Sequence, residues 1–222
     1  MRVFLVLFLV IISCQNKQEE KSNGIFENSN SFSANQLENK NEIFLEIPYQ
    51  TTYNYLDSLG KKVHPNKEYD YWGYVTKSEF FATMDLNNIT LSEGGNNKLK
   101  KHIDYGNHTI GFFQGGQHSF RCNYAVIIDD EKVNYVITEE QFRDFLGTID
   151  NLEEALLLAQ TYGYTLDDEG KTNKYRIVHD GYILQLIKVS NYFESAEMVE
   201  VRISHDAAIK TKSLGIYKKK NL

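Results

Sequence analysis

Cys122 follows His108 and His118 in the chain, and a thiol with an imidazole is the pairing from which a thiolate nucleophile and its general base are built. The residues around it argue otherwise. Phe120, Cys122, Tyr124, Val126 and Ile128 alternate with their neighbours, so the thiol falls on the apolar face of a strand, where cysteine acts as a small hydrophobe. His179-Asp180 and His205-Asp206 are a second set with ligand chemistry. A metal needs three or four ligands in fixed geometry, and both pairs read as turn residues. Asp129-Asp130-Glu131 and Asp167-Asp168-Glu169-Gly170 lack the spacing of a calcium loop and read as solvated turns. No serine lies in a G-x-S-x-G elbow, no Gly-Lys phosphate loop is present, and Gly115-Gly116-Gln117-His118-Ser119 matches neither. A non-enzymatic chain is expected, with no catalytic residue, metal or cofactor.

The aromatic residues are the other chemical resource. There are 15 Tyr, 13 Phe and 1 Trp, and Tyr49, Tyr53, Tyr55, Tyr69, Tyr71, Trp72 and Tyr74 crowd one region. Tyr69, Tyr71, Trp72 and Tyr74 are the candidate ligand-binding residues. Exposed, their rings would stack on a glycan or a peptide at low entropy cost. Half-buried strands favour the same residues for packing alone. Exposure of Trp72 separates the two readings.

Cys14 has a different chemistry. Met1-Arg2 precede an apolar run from Val3 to Ile12, and Ser13-Cys14 close it. A short positive start and an apolar stretch of about ten residues form a secretory signal. The run is too short to span a bilayer, which takes about 20 apolar residues. Ile11-Ile12-Ser13-Cys14 resembles the lipobox of bacterial lipoproteins. The resemblance implies cleavage before Cys14, with residues 1–13 as signal peptide, and acylation of the thiol and the new amine by chains such as palmitate. Each buried CH₂ contributes about 0.8 kcal/mol, so two or three chains anchor the protein to a membrane. Gln15, in place of Asp, implies by the same likeness the outer rather than the inner membrane of a Gram-negative envelope. Lys17-Gln18-Glu19-Glu20 resembles the export tethers of some surface lipoproteins. A bacterial chain leaves Asn88-Ile89-Thr90 and Asn107-His108-Thr109 as glycan acceptors on paper only.

The elements must place these groups. The chain has 222 residues, 41% hydrophobic and 24% charged, with 2 Pro, an ordinary globular composition. Its net charge of −6 argues against nucleic acid as a partner. Partners are expected to be the membrane, through Cys14, and a glycan or an envelope protein. Residues 14–42 comprise the lipidated cysteine and a polar tether, in which isolated Ile25, Phe26, Phe32 and Leu37 cannot offset the entropy of ordering. Residues 43–222 form the globular domain, with 43–137 and 138–222 as candidate subdomains.

Strands are expected at 43–47, 69–75, 80–86 and 109–113, with a turn at Gly94-Gly95-Asn96-Asn97. Strands 120–128 and 133–137 form a hairpin over a four-residue loop, 129–132. Thr138 with Gln141 has capping-box spacing and opens a helix carrying Phe142, Phe145 and Leu146. Asp150 with Glu153, or Asn151 with Glu154, opens a second, apolar nearly all round and so buried, with Gly163 as its C-terminal cap. Strands 175–178 and 182–189 flank His179-Asp180-Gly181; 199–204 and 214–217 follow, and Lys218-Lys219-Lys220 reads as a frayed tail. The class is α+β, mainly antiparallel sheet with one or two helices in the second half. Helix 152–162, strands 175–178, 182–189 and 199–204, and the turn His205-Asp206-Ala207-Ala208 resemble in element order the PepSY-type module. That likeness implies an envelope protein that restrains proteases and carries over no residue role.

Overall fold

The computed structural model describes residues 43–51, 55–80, 85–105, 111–115, 119–189 and 195–219. Two antiparallel sheets account for most of them. The first has β2 (Tyr71–Phe80), β3 (Asp85–Gly95), β4 (Phe112–Gly115), β5 (Ser119–Asp129) and β6 (Lys132–Val136). Its order is β3-β2-β5-β4, with β6 also on β5. The second has β1 (Leu45–Glu46), β7 (Tyr164–Thr165), β8 (Lys174–Val178), β9 (Gly181–Val189), β10 (Ser195–Ser204) and β11 (Ile209–Lys219). It runs β1-β8-β9-β10-β11, with β7 on β9. Helices α1 (Tyr55–Gly60), α2 (Glu139–Leu146) and α3 (Leu152–Thr161) and a 3₁₀ helix (Asn97–His102) complete the α+β fold.

Alternation along β2 and β5 covers the first sheet on both faces. Tyr71, Val75, Cys122, Tyr124, Val126 and Ile128 pack on one side with Ile103. Trp72, Tyr74 and Ala125 face the other, against Phe142, Phe145 and Leu146 of α2. The same core takes in Leu184, Leu186, Val199, Val201 and Ile203 of the second sheet. Helix α3 touches both sheets and both other helices, which explains why Ala155 to Ala159 are all buried.

The capping box at Thr138 forms with Gln141, as its spacing predicts. Asn151, rather than Asp150, caps α3, its side chain accepting from Glu154 N. Elsewhere boundaries move. The β5–β6 hairpin turns in two residues, not four, because Asp129 pairs with Lys132. Asp130 and Glu131 hold φ of 50° and 62°, the left-handed pair of a type I′ turn that follows the strand twist. Gly94 and Gly95 belong to β3, and the break comes at Asn96, whose side chain caps the 3₁₀ helix by accepting from Lys98 N. Lys218 and Lys219 are strand residues paired with Ala196 and Ser195, not tail; Lys220 lies outside the described residues. The expected strand 80–86 is not one strand: Phe80 ends β2 and pairs with Asp85, the first residue of β3, and residues 81–84 between them lie outside the described residues. Helix α1 and β7 carry no sequence signal strong enough to anticipate: α1 has six residues and β7 two.

Candidate functional site

The two His-Asp pairs, separate in sequence, meet at one end of the second sheet. Strands β9 and β10 pair with Gly181 opposite Ser204, which sets the β8–β9 turn beside the β10–β11 connection. Gly181 is required there: its φ is +144°, and a Cβ would sit 2.1 Å from the Ile203 carbonyl oxygen. His205 N donates to Asp180 O at 2.8 Å and so ties the two turns by main chain. Arg202 Nη2 donates to both Asp180 carboxylate oxygens at 2.8 and 2.9 Å. That hydrogen bond is the main reason the Asp180 carboxyl lies below its usual range. Ser204 Oγ donates to Asp206, chiefly lowering that carboxyl too, and accepts from Ala208 N at 3.1 Å. With Lys210 these groups line a hollow of about 580 Å³.

What this arrangement can do is limited by its own bonds. His205 Nδ1 lies 2.8 Å from Ile149 O. A carbonyl only accepts, so Nδ1 carries the proton and spends it on that carbonyl. Ser204, His205 and Asp206 are the residue types of a hydrolase triad, but the hydroxyl bonds the carboxylate directly and no hydroxyl–imidazole relay forms. Among the described residues no three His, Cys, Asp or Glu side chains converge as metal ligands. The hollow is bordered by charged and polar residues on two tied turns, but most of the surface they turn toward it is apolar.

The expected ligand-binding aromatics are placed elsewhere. Tyr71 and Tyr74 are 0% exposed and Trp72 only 6%. Trp72 packs edge-on against Phe145 and His64, with ring centroids 6.1 and 5.6 Å away. Tyr71 OH donates to Glu93 Oε2 at 3.0 Å. These three rings are core, and the stacking reading, which needed an exposed Trp72, is corrected accordingly. The sheet carries a core on each face, so alternation in β2 sends these three rings into one core or the other. Tyr69 precedes the strand and does not follow its alternation. It is half-buried, stacks on Phe145 at 6.0 Å, and borders a hollow of about 240 Å³.

Cys122 is buried, and burial pushes its thiol upward, with Lys77 directly opposite in register opposing the shift. His108 and His118 lie outside the described residues, as does Cys14. Asp129 forms an exposed ion pair with Lys67 at 3.4 Å. Asp167 organises its own loop: its oxygens accept from Glu169 N at 3.2 Å, Lys171 N at 3.0 Å and Tyr217 OH at 2.8 Å. Arg202, Ser204 and Lys210 were not singled out from sequence. Period-two spacing of Arg202 and Ser204 on β10 puts them on one face, but only the pairing of four strands shows what they meet. The spacing gives Glu154 only a capping role, yet it is fully buried and accepts from His64 N at 2.9 Å and Asp150 N at 3.0 Å. No protein family, curated protein or solved structure matches the chain.

Proposed function

We propose that the chain is a lipid-anchored module of the bacterial cell envelope that binds or scaffolds and does not catalyse. Ile11-Ile12-Ser13-Cys14 behind its apolar run carries this reading. The polar composition of residues 15–41, between that motif and the folded residues, supports it, since such a stretch would serve as a tether. At about 5–6 Å × √n, about 27 residues hold the unit roughly 30 Å from a membrane. The engagement of Asp180 by Arg202, the bond from Ser204 to Asp206 and the buried Cys122 thiol favour a non-catalytic role. The test is metabolic labelling with an alkynyl palmitate, followed by membrane fractionation. The native chain should label and sediment with outer membranes, and Cys14→Ala should lose both. A Cys14→Ala chain that still partitions with membranes overturns the anchor.

A second reading rests on α3 being followed, after the two-residue β7, by antiparallel β8, β9 and β10, an order that resembles the PepSY-type module. It predicts that the full chain slows an envelope protease. No effect across a protease panel removes it.

A further inference from the structure

Charge is unevenly placed along this chain. It carries −6 overall, yet residues 209–222 hold five lysines and no acid. Most of that segment is β11, eleven residues long. One edge of β11 pairs with β10; among the described residues no strand pairs with the other. The opposite end of the sheet is closed by β1, only two residues long. An unpaired strand edge is a row of main-chain donors and acceptors ready for another strand.

Two features of β11 select what can add there. From Ile209 to Ser213 its register with β10 is regular, whereas shifts interrupt it beyond, between Met198 and Val199 and between Ala196 and Glu197 of β10. The regular half bears Lys210, Thr211, Lys212 and Ser213, all exposed. In register, Lys210 continues the row of Arg176, Ile183 and Arg202 across four strands. Among the described residues neither Lys210 nor Lys212 has an ion-pair partner. A second copy of β11, added antiparallel about Leu214, would set Lys210 against Lys218, a like-charge pair that opposes self-association. Edge lysines of this kind block like-with-like pairing. An acidic strand meets the reverse.

We propose that the free edge of β11 over 209–213 accepts an extended acidic segment of another polypeptide by strand addition. Main-chain bonds supply the affinity, and Lys210 and Lys212 supply the choice of partner.

The experiment uses the full chain in uncharged detergent micelles. The probes are the peptide Glu-Thr-Glu-Val-Glu-Val-Glu-Thr and its counterpart with every Glu replaced by Lys. The acidic peptide should bind at least about tenfold tighter than the basic one and slow amide exchange in 209–213. Lys210→Glu with Lys212→Glu should reverse the preference. Lys210→Gln with Lys212→Gln, which avoids placing Glu opposite Glu200, should abolish it with the circular dichroism spectrum unchanged. Equal binding of both peptides, no binding, protection confined to other strands, or binding of phosphatidylglycerol vesicles through Lys210 and Lys212 in place of the peptide overturns the proposal.

Discussion

Glu154 is held by opposing influences. Burial, the larger, raises its carboxyl above the usual 4.5, while bonds from Asp150 N, His64 N and the Asn151 side chain lower it. The net direction is upward, so the folded state holds this proton more tightly than the unfolded chain does. Its contribution to stability is therefore greatest below the unfolded value and is lost as pH climbs from 4.5 through the raised folded value. Glu154→Gln cannot titrate and should remove that slope from urea midpoints measured from about pH 4 to 8. It should also cost about 1–3 kcal/mol near neutrality, because one of two main-chain N–H groups then faces an amide NH₂. At Cys122 the thiol is fully buried and raised by burial. Iodoacetamide should therefore alkylate it in urea and leave the native chain unlabelled over the same interval.

At the scale of elements, the β5–β6 turn is the place where sequence and geometry conflict. Asp130 and Glu131 both occupy left-handed backbone, φ 50° and 62°, which Asn-Gly fits far better. Glu131→Gly should stabilise the chain by about 0.5–1 kcal/mol, read from thermal or urea unfolding; a loss of stability would show that the turn bears little strain. The converse case is the pair of tied turns at the hairpin ends. Their contacts run through Gly181, Asp180 O and the Arg202 guanidinium, which the register of β9 with β10 brings together. The period-two pattern of β10 was legible from Val199, Val201 and Ile203, and so was the buried helix α3. The neighbours of Asp180 were not, since strand register is a long-range property that no local pattern states.

The larger of the two cores joins the two sheets. It draws Trp72 and Tyr74 from the first sheet, Phe142 and Phe145 from α2, and Leu184 and Val201 from the second sheet. Loss of either sheet exposes the apolar surface of the other, so the two should unfold together. Trp72 is the one tryptophan and sits on β2, so its fluorescence reports the first sheet directly. Its urea midpoint should coincide with that of far-ultraviolet circular dichroism, and Phe142→Ala should lower both together, a loss of about 3–5 kcal/mol in unfolding free energy. Two separated transitions would show the sheets to be independent. By itself the sequence determined the α+β class, the alternation of β5 and β10, the capped α2 and the expectation of a lipidated Cys14, because each rests on residues close together in the chain. Only the tertiary structure decided that the rings of Tyr71, Trp72 and Tyr74 are core, that His179-Asp180 meets His205-Asp206, and that β11 ends its sheet, with one edge unpaired among the described residues. Those outcomes depend on which strands lie side by side and what covers each face, and contacts between distant residues set both.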